Sequence, residues 1–210
     1  MYDHYVSLGR NCEVAFQFRR VLSKDQSSFF SWNITSLDAL ISILGSDFRG
    51  VLQEENLRPY GRGDLVLDVS HGYCFHSPFS KSTPTEDPLF RDKFDKLKEK
   101  TDYLIKKFHR VAEHAGRVAY FYKTEDSHPK GKLLTVRDML RDYHKGRENF
   151  ILISLETEAF REEDWAEVCI ANRYLRRFAP DEDAVDGHLQ SYDKVFREFP
   201  HVEGLRFSTY

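Results

Sequence analysis

The run NFILISL at residues 149–155 constrains this chain more than any other stretch. It is apolar on successive residues rather than alternate ones, so a strand there must be buried on both faces. That is the condition of a strand inside a parallel sheet covered by helices. A second apolar run, RVAYFY (117–122), precedes it, and the helical pattern TVRDMLRDYHKG (135–146) lies between them. Strand, helix and strand in that order form a parallel crossover unit. Further along, EVCIA (167–171) reads as a short strand and HLQSYDKVFREF (188–199) as a closing helix. The expected fold class is α/β, one layered domain over 1–210 with a mostly parallel sheet flanked by helices; a papain-like α+β arrangement is the alternative.

The first half opens with the same grammar. His4 to Leu8 is a short β-capable run, Gly9 to Asn11 turn the chain, and Cys12 to Leu22 has helical spacing. Asn11 suits the N-cap of that helix, which puts Cys12 at the first helical position. A second helix is expected near Thr35, where TSLD gives a weakened capping box, and Gly45 ends it. Residues 53–64 read as a polar connection. In LVLDVSHGYCFHSPF, Gly72 either divides two strands or bulges one. Residues 77–88 read as a surface loop or lid. The longest helix follows, with Asp87 as cap, Pro88 at its first position and Gly116 at its end. Phe90, Phe94, Leu97, Leu104, Phe108 and Val111 form its apolar stripe, and Lys106, Lys107 and Arg110 complement its C-terminus.

A net charge of −3 gives no basic footprint, so nucleic acid is not an expected partner. No apolar run reaches the ~18 residues of a bilayer span, and MYDHYVSLGR lacks the basic head and apolar stretch of a secretion signal. Cys12, Cys74 and Cys169 are too few and too scattered for a disulfide framework. A reducing, cytoplasmic setting with three free thiols is expected.

Cys12 occupies a nucleophile's position. A helix start favours the thiolate, and a strand-to-helix turn brings it to the C-terminal edge of a parallel sheet, where α/β folds gather their ligands. Its base is expected to be His76, at a strand end, with His71 as substitute. On one regular strand these two histidines would point to opposite faces. The pair Cys74 and His76 carries too few ligands for a zinc site, so no metal and no cofactor is expected. Cys169, between Val168 and Ile170, reads as core. Asp186 and His188 resemble the late acid–base pair of SGNH esterases only at the level of fold, and DGH reads more simply as a turn and a helix cap. In SSFFSWNITS (27–36), Phe30 and Trp32 are either a hydrophobic corner or the wall of a pocket.

The stretches SLGRNCEVAFQFRR, SFFSWNITSLDALISIL and FHSPF ahead of a long helix together resemble a bacterial family described as putative papain-like cysteine peptidase. In that resemblance Ser7, Leu8, Gly9 and Cys12 match the turn, Phe30 and Trp32 the corner, and His76 the histidine. Ser31 stands where the family carries an aspartate, and Lys123 where it carries an arginine. The resemblance implies a thiol-dependent hydrolase or acyl-transfer enzyme, with links to surface-polysaccharide metabolism. Its substrate would be a small molecule, peptide or glycan. A module that binds a glycan or sugar phosphate without catalysis is the competing expectation, with Arg10 and Asn11 at the helix start holding the ligand.

Overall fold

The computed structural model describes residues 1–127, 129–157, 165–180 and 183–207. Four parallel strands form the main sheet in the order β1-β6-β7-β8: β1 (His4–Gly9), β6 (Val118–Lys123), β7 (Phe150–Glu156) and β8 (Ile170–Tyr174). Alternation decides what each face meets. Tyr5, Phe121, Ile153 and Ala171 pack with α1 (Glu13–Leu22) and α5 (Leu189–Glu198). Val6, Tyr120, Leu152 and Ile170 pack on the other face with α2 (Leu37–Gly45), α3 (Phe90–Glu113) and α4 (Lys130–Tyr143). The apolar run of β7 is therefore buried twice over, as a parallel strand must be, and the layered α/β architecture is the one adopted.

A second, antiparallel sheet lies beside α3 in the order β2-β5-β4-β3: β2 (Asn33–Ile34), β3 (Leu57–Tyr60), β4 (Leu65–Asp68) and β5 (Tyr73–His76). Its strand β3 falls inside the segment expected to be a plain connection, because LRPY is too short and too polar to show a pattern. Gly72 does divide two strands, in the tight turn between β4 and β5. That hairpin separates the two histidines by more than a change of face: His71 sits in the turn and His76 at the far end of β5.

Helix boundaries move by one to five residues. α2 is capped by Ser36, whose Oγ accepts from the Ala39 N–H at 3.2 Å, rather than by Thr35. Asp87 does not begin α3 but holds its approach, accepting from the Leu89 N–H at 2.8 Å and pairing with Lys93 at 2.8 Å. α4 starts at Lys130, five residues before the expected Thr135. β8 starts at Ile170, so Cys169 precedes it with a positive φ of 60° and is half-buried rather than a core strand residue. The free edge of β1 is closed by side chains: Gln26 Oε1 accepts from the Tyr5 N–H at 3.3 Å, and Ser28 Oγ donates to the Ser7 carbonyl at 2.7 Å. These bonds occupy groups that would otherwise invite a foreign strand.

One buried histidine supports the fold rather than a site. His144 is fully buried, with Nε2 2.9 Å from the Tyr120 hydroxyl and Nδ1 2.9 Å from Asn149 Oδ1. Burial, the largest cause, lowers its pKa from 6.5 to about 4. The unfolded chain takes up a proton across that interval and the folded chain does not. The stabilisation is therefore complete above pH 6.5 and is lost as the pH falls to about 4. Thermal melts are expected to show a loss of about 3 kcal/mol over that range, and a smaller one in His144→Gln. Equal slopes in the two proteins would refute this assignment.

Candidate active site

β1 ends at Gly9, whose φ of +115° only glycine adopts cheaply; a Cβ there would lie 3.3 Å from the Thr35 carbonyl oxygen. The close approach is fixed by the Thr35 N–H donating to the Arg10 carbonyl at 2.8 Å. Asn11 Oδ1 then accepts from the Glu13 N–H at 3.2 Å, satisfying one of the orphan amides of α1. Cys12 rather than Asn11 is the N-cap residue, so α1 begins one residue later than expected, and the Cys12 carbonyl accepts from the Phe16 N–H at 3.0 Å. Its thiol is half-buried at the C-terminal edge of the main sheet. Burial, the largest cause, pushes that thiol up; its own backbone amide and Lys123 pull the other way, and Glu13 adds to the rise.

Below the turn lies a cluster that motif reading passed over. Lys123, 1% exposed, has its Nζ 3.1 Å from Glu13 Oε2 and 3.1 Å from Glu125 Oε1. Arg10 Nε meets the other oxygen of Glu125 at 2.7 Å. The late loop closes over this cluster. The Ala179 N–H donates to Glu13 Oε1 at 3.0 Å, and the Phe178 ring lies 4.6 Å from the Lys123 ammonium. Gly187 packs so close that a Cβ would stand 2.6 Å from Glu13 Oε1. The sequence signals were a lysine ending the apolar run VAYFY, where the resembling family carries an arginine, and a glutamate opening an amphipathic helix.

The candidate histidines are placed apart. His71 is held by Ser42 Oγ on Nδ1 at 2.8 Å and by the Arg49 carbonyl on Nε2 at 2.9 Å. His76 is exposed; one register step beyond the Asn33–Phe75 pair, it lies level with Trp32. His188 caps α5, its Nδ1 accepting from the Ser191 N–H at 3.3 Å. DGH is thus the turn and cap it was read as, with Asp186 paired to Arg177 at 3.0 Å. Among the described residues, none of these three histidines is hydrogen-bonded to Cys12. Nor do any three His, Cys, Asp or Glu side chains there gather as a metal-binding group.

The aromatic corner splits into two roles. Phe30 is fully buried, with Phe29, Phe48 and Phe108 at ring distances of 4.9, 5.8 and 6.0 Å. Trp32 is half-buried and lines a cavity of about 60 Å³ with Phe29, Asn33 and Phe75. Its indole donates to Ser27 Oγ at 2.7 Å, packs edge-on against Phe16 of α1, and carries the Arg19 guanidinium 4.2 Å from a ring centroid. Ser31 closes a capping box with Ser28: the Ser28 N–H donates to Ser31 Oγ at 2.9 Å. The hydroxyl thus finishes a tight turn, and both of its hydrogen bonds go to Ser28 rather than to Cys12.

A family model described as putative papain-like cysteine peptidase matches residues 3–171, a span that includes the Cys12 turn, the aromatic corner, both histidines of the hairpin and Lys123. No curated protein and no solved structure matches the chain.

Proposed function

The chain belongs to the family described as putative papain-like cysteine peptidase, and on that premise we propose that it is a thiol-dependent hydrolase or acyl-transfer enzyme with Cys12 as nucleophile. The observation that carries this reading is the position of Cys12, half-buried where β1 turns into α1 at the C-terminal edge of a parallel sheet. In the proposed reaction a base takes the thiol proton and Sγ bonds to an acyl carbon. The leaving group departs with a proton, and water or a second acceptor then cleaves the thioester. The Glu13 N–H is already bound by Asn11, so the amides of Asn11 and Cys12 are the proposed oxyanion donors. Asn11 acts through the turn it holds, and Arg10 through its pairing with Glu125.

His76 is the proposed base because it is exposed at the strand end beside Trp32, whereas His71 must first give up Ser42 and the Arg49 carbonyl. His188 is a second candidate, favoured by one observation: the loop that leads to it packs directly on Glu13, next to Cys12. Trp32 with Arg19 offers an aromatic and cationic surface suited to a peptide or glycan substrate, and a role in surface-polysaccharide metabolism is the finer proposal. Three free cysteines suit a reducing, cytoplasmic setting; among the described residues no helix is long and apolar enough to cross a membrane.

The test is competitive alkylation at pH 7, read by peptide mass spectrometry. Cys12 is expected to take up iodoacetamide faster than Cys74 or Cys169; equal or slower labelling of Cys12 rejects the reading. His76→Ala is expected to slow the Cys12 reaction about tenfold or more, with His71→Ala and His188→Ala close to wild type. A loss confined to His188→Ala transfers the base to the cap of α5. Labelling that stays fast in all three variants removes histidine from the mechanism.

A further inference from the structure

Lys123 is more than the end of a strand. Gly9 pairs with Tyr122, so the next residue of each strand, Arg10 and Lys123, stand level at the sheet edge. Alternation from Ala119 and Phe121 points Lys123 toward the α1 and α5 face, where Glu13, the residue after Cys12, is fully buried. Arg10 and Glu13 flank Asn11 and Cys12, and both are bound through Glu125 and Lys123. The turn that carries the thiol is thus closed by ion pairs on both sides.

Packing alone does not call for this arrangement. A buried ion pair commonly contributes no more than apolar side chains of the same volume. Two carboxylates on one buried ammonium, one of them from the residue after Cys12, add a cost that helix-to-sheet packing does not require. We infer that Lys123 is a positioning residue for the Cys12 turn and the cation that stabilises the Cys12 thiolate, with Glu13 as the counterweight that keeps the resting thiol protonated. When the S–H bond breaks, the proton goes to the base, the electron pair stays on Sγ, and Lys123 keeps all its protons. The opposed influences of Lys123 and Glu13 on the thiol agree with this division. Among the described residues, the other charged or titratable groups on the elements that meet the cluster include Glu125, Arg10, Tyr192 and His188 at α5, and the Arg177–Asp186 pair of the late loop.

The inference rests on Cys12 being the reactive group, but it is read from the thiol's titration rather than from turnover. The rate of iodoacetamide alkylation of Cys12 is measured from pH 5 to 10 in the full chain, with circular dichroism confirming the fold of each variant. Glu13→Gln is expected to shift the titration to lower pH and to raise the rate at pH 7 about threefold or more. Adding Lys123→Met to Glu13→Gln is expected to reverse that shift, while Lys123→Arg stays within about twofold of wild type. Glu125→Gln, at a more exposed position, moves the titration the same way as Glu13→Gln but less, and serves should Glu13→Gln not fold. A titration unmoved or raised by both glutamine variants overturns the inference. If the titration shifts as expected while every acyl substrate is left uncleaved, the catalytic reading fails and this one stands.

Discussion

Lys123→Met is expected to lower stability by about 3–5 kcal/mol, because it leaves the Glu13 carboxylate buried without its cation. For a chain of this size the melting temperature falls by about 10 °C. Part of the loss also comes from Glu125, but its carboxylate is a third exposed and keeps Arg10. The double variant Glu13→Gln/Lys123→Met removes the uncompensated charge and is expected to recover at least half the loss. The amide can still accept from the Ala179 N–H. Urea unfolding of the four proteins of the cycle measures the coupling. A single variant within about 1 kcal/mol of wild type would show that the ammonium is not held as tightly as its contacts imply. Stability and thiol titration are separate readouts of the same lysine: the first reports the pair with Glu13, the second the cysteine next to Glu13 in the chain.

Phe30→Ala is expected to cost about 3–5 kcal/mol, the range for emptying a fully packed phenylalanine site. Phe30 is 0% exposed and sits among Phe29, Phe48 and Phe108, which join the aromatic corner to α3. Those rings cannot close the void without leaving their own contacts. Trp32→Ala, two residues on, is expected to cost about 1 kcal/mol, since its ring is half-buried and trades contacts with Phe16 and Arg19 for water. Its larger effect should fall on substrate affinity. Chemical denaturation of both variants separates them. Equal destabilisation would mean that the two rings share one structural role and would leave the proposed substrate surface without Trp32.

The strand-turn-helix around Cys12 was legible in the sequence because each of its signals is local: a glycine at positive φ, an asparagine whose side chain reaches the Glu13 amide, and an amphipathic run behind them. The parallel sheet was legible because burial on both faces writes a nearly all-apolar run into β7. β3 was not, since LRPY has no periodicity and pairs only because β4 lies beside it. Cys169 packs against the core but is only half-buried, because β8 begins at Ile170, three residues after the start that the apolar run EVCIA suggests.

By itself, then, the sequence determined the α/β class, the doubly covered sheet and the corner on which Cys12 stands, all of them consequences of periodicity and of steric rules acting over a few residues. Only the tertiary structure decided that His71 sits in the β4–β5 turn and His76 at the far end of β5, that Phe30 is core while Trp32 faces a cavity, and that Lys123 meets Glu13, the residue after Cys12. The physical reason is range. An ion pair or a ring contact depends on distances of a few ångströms between segments far apart in the chain. Nothing in the local composition of either segment records which partner the fold will bring to it.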